Sequence, residues 1–104
     1  MKIKILSSAA DDLADGFNFY ENRSDGLGSY FLETLFSDIE SLKIYAGVHQ
    51  KVFGYHRLLS NRFPYAVYYS LDAGTVFVNA VLDCRRNPTW IKKKFDSDIL
   101  YKEE

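Results

Sequence analysis

The chain has 104 residues, so we expect residues 1–104 to form one domain with a modest hydrophobic core. Hydrophobic residues make up 47% of the sequence and aromatic residues 16%, which excludes an intrinsically disordered chain. The net charge of −1 excludes binding of a polyanion by overall charge, and no apolar run is long enough to span a membrane.

The N-terminal part of the sequence predicts a strand followed by two helices. Residues 2–6, KIKIL, alternate lysine and isoleucine, which is the two-residue period of a strand with one solvated face. Residues 7–21, SSAADDLADGFNFYE, carry apolar residues at helical spacing, and Ser8 with Asp11 predicts a capping box. After a glycine-containing turn, a second helix with a broader apolar face is predicted to end at Gly47.

The second half of the sequence predicts three strands and a short helix. Residues 51–59, 65–71 and 75–82 are rich in β-branched and aromatic residues and alternate in polarity, as strands do. Residues 72–74, Asp-Ala-Gly, are interpreted as a three-residue hairpin loop. Pro88 suits the first turn of a short final helix.

The predicted element order is therefore β-α-α-β-β-β-α, an α+β domain. The last three strands would form an antiparallel meander, and the N-terminal strand would bring the sheet to about four strands. The two helices would pack as a hairpin on one face of this sheet. The other face would stay open, and available for function, unless the final helix or a partner covers it.

Charge is distributed unevenly along the chain. Residues 1–40 contain three basic and eight acidic residues, a net charge of −5, whereas residues 41–95 contain nine basic and two acidic residues, a net charge of +7. This pattern favours one acidic and one basic surface, with ordinary solubility as the alternative explanation.

Motifs of known catalytic sites are missing from the sequence. It has no phosphate-binding glycine loop and no pair of cysteines for zinc, and His49 and His56 lack metal-ligand spacing. We therefore expect neither a metal ion nor a cofactor. The prominent polar groups are arginines, which bind phosphate or carboxylate well and are poor general bases.

The single Cys84 cannot form an internal disulfide, which favours a reducing compartment. The apolar stretch at residues 3–6 is too short for a signal peptide. The sequence therefore predicts a soluble, cytoplasmic protein that does not bind membranes.

Two segments of the second half resemble a known family. Residues 62–71, RFPYAVYYSL, and residues 75–91, TVFVNAVLDCRRNPTWI, are similar to the second half of the RelE/ParE superfamily, the toxins of type II toxin–antitoxin modules. The similarity is greatest to the ParE-like, or plasmid stabilisation, branch. The resemblance implies a RelE/ParE-like domain over the whole chain and a bacterial toxin that inhibits growth unless a cognate antitoxin neutralises it.

The RelE-like branch of this family implies one activity. Its members cut messenger RNA on the ribosome, which requires proton transfer and cations around the phosphate. In this sequence His56 would transfer the proton, because the pKa of histidine lies near neutrality. The candidate ribonuclease residues are His56, Arg57, Arg62, Arg85 and Arg86.

The ParE-like branch of the family implies a different activity. Its members poison DNA gyrase and need no catalytic residues of their own. Where RNA-cleaving relatives carry His, Tyr or Lys after the last strand, this sequence has residues 87–90, NPTW. The lack of an evident acid–base pair favours a gyrase inhibitor that is not an enzyme over a ribosome-dependent endoribonuclease. The residues expected to contact the target are Arg57, Arg62, Arg85, Arg86, Trp90, Lys92 and Lys93.

The resemblance also implies a protein partner. Antitoxins of this family use a largely disordered acidic segment, which would fold onto the basic half of the sheet and the apolar grooves of the helix hairpin. A third hypothesis is a binding module without toxicity.

Side-chain orientation stays open for several candidates. On a strand, Arg85 and Arg86 would face opposite sides, as would His56 and Arg57, so only one of each pair could reach a target on the open face. Trp90 is either an exposed contact residue or an anchor that holds the final helix to the sheet.

Overall fold

The computed structural model describes the backbone of residues 1–103 and the side chains of residues 1–96. A first strand and a pair of helices are followed by a single helical turn, four more strands and a final helix. In chain order the elements are β1 (Lys2–Ile5), α1 (Ser7–Glu21), α2 (Leu27–Glu40), α3 (Leu42–Tyr45), β2 (Lys51–Val52), β3 (Tyr55–Leu59), β4 (Tyr65–Asp72), β5 (Thr75–Asp83) and α4 (Pro88–Glu103).

The strands form one sheet with the order β1-β5-β4-β3-β2. β1 runs parallel to β5, and the other neighbours are antiparallel. The α+β class and the helix hairpin are confirmed, and the elements follow the predicted order with α3 and one strand added. The second helix, predicted to end at Gly47, ends at Glu40 instead, and α3 follows it as a separate helical turn. The predicted strand at residues 51–59 is instead two strands joined at Phe53 and Gly54, which both have positive φ angles, 56° and 84°. The sheet therefore has five strands rather than four.

The turn between β4 and β5 is tighter than predicted. Asp72 pairs directly with Thr75, so the loop contains only Ala73 and Gly74. Both have positive φ angles, 48° and 79°, as a type I′ turn requires. The three-residue loop predicted at residues 72–74 is wrong by one residue, because the strand continues through Asp72.

α1 and α2 pack closely on one face of the sheet because glycines lie at their contact. A Cβ atom on Gly28 would lie 2.6 Å from the carbonyl oxygen of Phe17, and one on Gly16 would lie 2.5 Å from the ring of Phe31. The two glycines therefore reduce helix propensity but allow the helices to approach. The hairpin buries Leu13, Phe31, Leu35 and Ile39 against the sheet, together with other core residues.

The opposite face of the sheet is covered by α4, which settles the alternative left open by the sequence. Ile91 and Phe95 are buried against a small cluster of sheet residues. This cluster consists of Ala66, Tyr68, Ala80 and Leu82, with Val52 and Tyr55 at its margin. The ring of Phe95 stacks on Tyr55 at 4.8 Å and meets Tyr68 edge-on at 4.9 Å. The final helix spans 16 residues, so the prediction of a short helix is wrong.

Where β1 ends, side chains of α1 form hydrogen bonds with the backbone of β5. β1 stops at Ile5 and pairs with β5 only as far as Val78. Beyond this point the Ser8 hydroxyl donates to the Asn79 carbonyl at 2.8 Å, and the Asp12 carboxylate accepts from the Val81 amide at 2.9 Å. Ser8 therefore forms no capping box, and α1 has no side-chain cap.

Candidate functional site

The candidate site lies at the end of β5, where the chain turns into α4. Asp83, the last residue of β5, accepts hydrogen bonds from the Arg85 backbone amide at 2.8 Å and from its guanidinium at 2.7 and 3.0 Å. These hydrogen bonds lower the pKa of Asp83 below its ordinary value. The ion-pair partner of Arg85 is thus the carboxylate of its own turn.

Arg86 follows in the same turn, and its guanidinium lies over the ring of Trp90, 5.0 Å from the centroid. Because β5 ends at Asp83, neither arginine belongs to a strand, and both are exposed. The prediction that Arg85 and Arg86 alternate between faces therefore does not apply. Trp90 is 42% exposed, so its side chain contributes to the surface beside the two arginines.

A cleft of about 370 Å³ opens next to this turn, between α1, the ends of β4 and β5, and the start of α4. Arg86 and Trp90 lie on one side of it and Phe19 of α1 on the other. Tyr65 also lines the cleft, and burial raises its pKa to about 12, so the hydroxyl remains a hydrogen-bond donor at neutral pH. Apolar and charged side chains line the cleft together, and the charges are of both signs.

Lysines on α4 surround the same region. Lys92 and Lys93 are exposed, whereas Lys94 forms an ion pair with the buried Asp12 of α1. Burial raises the pKa of Asp12, and the hydrogen bond from Lys94 opposes this shift. This contact joins the acidic and the basic halves of the sequence across the end of the sheet.

His56 and Arg57 lie on opposite faces of β3. The His56 ring stacks on Tyr69 on the side of the helix hairpin, with centroids 5.1 Å apart. Arg57 pairs with Tyr68 on the side of α4, where it opposes the rise in the pKa of Tyr68 that burial causes. A proton-transferring histidine and a phosphate-binding arginine are therefore not brought together here.

Arg62 is separated from the arginines of the turn. Its guanidinium donates to the hydroxyl of Tyr30 on α2 at 2.5 Å and lies beside that ring. It lines a shallow depression with Glu33 and Asp38. The structure thus brings together Arg85, Arg86 and Trp90, with Lys94 lining the same cleft, and leaves His56 and Arg62 elsewhere. Arg57 lies close enough to Cys84 of the turn to oppose the rise in the pKa of that thiol that burial causes.

A second feature is an apolar groove on the outer side of the helix hairpin. The sequence analysis expected such grooves but did not identify the residues that line them. Its volume is about 470 Å³, and Phe36 on its rim is 47% exposed. The groove, which we call the hairpin groove, is lined by Ile5, Ala10, Leu13, Ala14, Phe17, Asn18, Leu32 and Phe36. A depression beside β1 continues it and shares Ile5 and Phe36. The signal in the sequence was the apolar face of α2, which is broader than one core contact needs.

In the part of the chain that the structure describes, no three His, Cys, Asp or Glu residues are grouped as metal ligands. Over the same residues, no helix combines the length and the apolar character needed to cross a bilayer.

The fold of this chain is similar to that of a protein of known structure. A chain from a solved structure described as "Chromosomal ParDE TA system from P. aeruginosa" superimposes with a TM-score of 0.68 and 17% sequence identity, covering 78% of this chain and 92% of that one. The fold is ParE-like. The ParE-like resemblance of the sequence is thereby confirmed at the level of the fold. No model of a protein family matches the sequence, and no curated protein matches it.

Proposed function

We propose that this ParE-like domain is the toxin of a type II toxin–antitoxin module, acts in the bacterial cytoplasm, and is neutralised by a cognate antitoxin. The observation that carries the proposal is the match over 92% of a chain from a ParDE system. An exposed apolar groove on the same domain supports it, because a groove of this kind on a soluble protein is typically a binding surface.

The hairpin groove is the proposed docking site for an amphipathic helix of the antitoxin. Apolar side chains at helical spacing would fill it, with Phe36 as the central contact. The depression beside β1 extends the groove to the edge of the sheet, where Lys2 and Lys4 are exposed. An acidic segment that follows the helix would be attracted to these lysines and could add a strand at the edge.

The proposed target is DNA gyrase, reached through the turn after β5. The separation of His56 and Arg57 on opposite faces supports action without catalysis by this chain, because a ribonuclease needs proton transfer next to the phosphate. Arg85, Arg86 and Trp90 form the proposed contact surface, since exposed arginine and tryptophan are frequent interface hot spots. Lys92 and Lys93 are proposed to add longer-range attraction, and Arg57 and Arg62 to have at most a peripheral role.

Purified protein should inhibit supercoiling of relaxed plasmid by gyrase and leave messenger RNA intact in a translating extract. The Arg85→Ala, Arg86→Ala double variant should inhibit at least ~10-fold more weakly, because it removes the two central cations. The Lys2→Ala, Lys4→Ala double variant is the matched control, as it removes two exposed cations at another edge, and should inhibit like the wild type.

Three outcomes would count against this assignment. Unchanged supercoiling would reject gyrase as the target. Message cleavage that the Arg85→Ala, Arg86→Ala variant abolishes would establish the ribonuclease alternative. Equal inhibition by both double variants would place the contact surface elsewhere.

A further inference from the structure

The loop between α3 and β2, residues 46–50, is held by a network that plays no part in the proposed function. The backbone amide of Gly47 donates to the hydroxyl of Tyr69 on β4 at 2.9 Å. The same hydroxyl lies 2.5 Å from Nδ1 of His49, and Nδ1 of His56 lies 2.7 Å from the His49 carbonyl oxygen. Both imidazole rings also contact the Tyr69 ring, His49 edge-on and His56 stacked.

These partners determine which atoms carry protons. The Tyr69 hydroxyl accepts from Gly47 and has one hydrogen to donate, so the arrangement that gives this hydrogen a partner directs it to an unprotonated Nδ1 of His49. A carbonyl oxygen only accepts, so Nδ1 of His56 carries a hydrogen. In this arrangement His49 is neutral. A proton on its Nδ1 would require the Tyr69 hydroxyl to turn its hydrogen away and to accept from Gly47 and His49 together, which leaves that hydrogen without its partner.

The loop and the helical turn before it present apolar side chains to solvent. Ile44 is 79% exposed, Tyr45 56% and Val48 73%. The loop end is fixed separately, because the Arg57 amide donates to the Gln50 carbonyl at 3.0 Å. Without the Tyr69 contacts, the loop would keep its turn hydrogen bonds, from the Ala46 amide to the Leu42 carbonyl and from the Val48 amide to the Tyr45 carbonyl, and the sheet would stay intact.

We propose that His49, Tyr69 and His56 form a proton-sensitive latch that fixes this loop at neutral pH and releases it when His49 is protonated. The change would loosen residues 47–49, which include the exposed Val48, while α3 keeps its hydrogen bonds to Ser41. It is a conformational device of the fold and does not depend on the identity of the target or of the antitoxin.

The surroundings of His49 support this role. Burial lowers the pKa of His49, and the nearby His56 lowers it further. His56 is contributed by β3, its cross-strand neighbour Lys51 by β2, and the phenol of Tyr69 by β4. Among the described residues no carboxylate forms an ion pair with either imidazole.

The test is an NMR titration of the full-length protein between about pH 8 and pH 5, the range in which histidine changes charge. The His49 ring resonances should give a pKa below 6.5, the ordinary value. The Gly47 amide should follow the same transition and lose its hydrogen-exchange protection, while amides of α1 and α2 do not change. In Tyr69→Phe, which keeps the ring and removes the hydroxyl, Gly47 should be unprotected throughout the range.

Tyr45→Phe is the matched control, because this exposed phenol is outside the network and the variant should titrate like the wild type. His49→Gln should abolish the transition at Gly47. A His49 pKa at or above 6.5, or a Gly47 amide that neither titrates nor responds to Tyr69→Phe, would overturn the proposal.

Discussion

Asp12 connects three elements of the fold through one carboxyl group. It is on α1, one oxygen accepts from the Val81 amide of β5, and the other pairs with Lys94 of α4. A buried carboxylate is costly unless it is both hydrogen-bonded and paired, and here it is both. The residue therefore holds α1 and α4 to the edge of β5, and its pairing could not be read from the sequence because 82 positions separate Asp12 from Lys94.

Replacing Lys94 with methionine should destabilise the protein by about 2 kcal/mol in urea unfolding at neutral pH. This is below the usual cost of breaking a fully buried pair, because the Lys94 side chain is 29% exposed. Lys93→Met is the matched control and should cost little, since Lys93 is exposed. The double variant Asp12→Asn, Lys94→Met should recover part of the loss, because no charge is then left unpaired.

The Lys94→Met variant should also respond to pH with a defined sign. Burial raises the pKa of Asp12, and removing Lys94 removes an interaction that lowers it. A raised pKa means that the folded state binds the proton more tightly, so stability falls as the pH rises through that pKa. The deficit relative to the wild type should therefore shrink as the pH is lowered towards about 4. Equal costs for Lys94→Met and Lys93→Met at every pH would show that the ion pair has no structural role.

At the scale of elements, few of the described side chains of α4 attach it to the sheet. Among its described side chains only Ile91 and Phe95 are buried. Phe95 lies between the rings of Tyr55 and Tyr68, with Phe53 of the β2–β3 turn 6.1 Å away. The aromatic hairpin of β2 and β3 and Phe95 of α4 therefore depend on one another.

Phe95→Ala should weaken the attachment of α4 more than it destabilises the whole domain. Truncation of a buried phenylalanine usually lowers the free energy of unfolding by about 3 kcal/mol or more. If the helix can detach locally, the free energy of global unfolding falls by less than this. Hydrogen exchange should show faster exchange for amides of residues 91–95, with α1, α2 and the central strands still protected. The control Phe36→Ala truncates an exposed ring and should leave α4 protected. A uniform loss of protection across the domain in Phe95→Ala would contradict this account.

The elements differ in how far the sequence predicts them. Residues 65–71 and 75–82 were predicted as strands, and each extends by a single residue in the structure, because long alternating runs bounded by glycine or proline are strong signals. The β2–β3 turn was missed because Phe53 has a positive φ angle, a conformation in which Asn or Gly is expected. The length of α4 was missed because its sequence is mostly polar.

The candidate site was predicted only as a group of residue types, since the turn at Asp83 that orients Arg85 and Arg86 depends on side-chain hydrogen bonds.

At the scale of the whole molecule, the two proposed binding surfaces lie on different parts of the fold. The hairpin groove is formed by α1, α2 and the end of β1, whereas Arg85, Arg86 and Trp90 follow β5. The groove is mainly apolar, and the turn is cationic. An antitoxin helix in the groove and a target at the turn would therefore use different chemistry, and variants at one surface should leave the other intact.

The most direct test of the central claim is binding of the protein to the product of a small open reading frame beside its gene, measured by calorimetry and by rescue of growth on co-expression. Phe36→Asp, which places a charge in the hairpin groove, should bind at least ~30-fold more weakly, as expected for a hot-spot residue. It should still arrest growth, and rescue should be lost. Ile44→Asp, on a more exposed residue outside the groove, should bind and be rescued like the wild type. Undiminished binding and rescue of Phe36→Asp, or expression of the wild type without any effect on growth, would contradict the account.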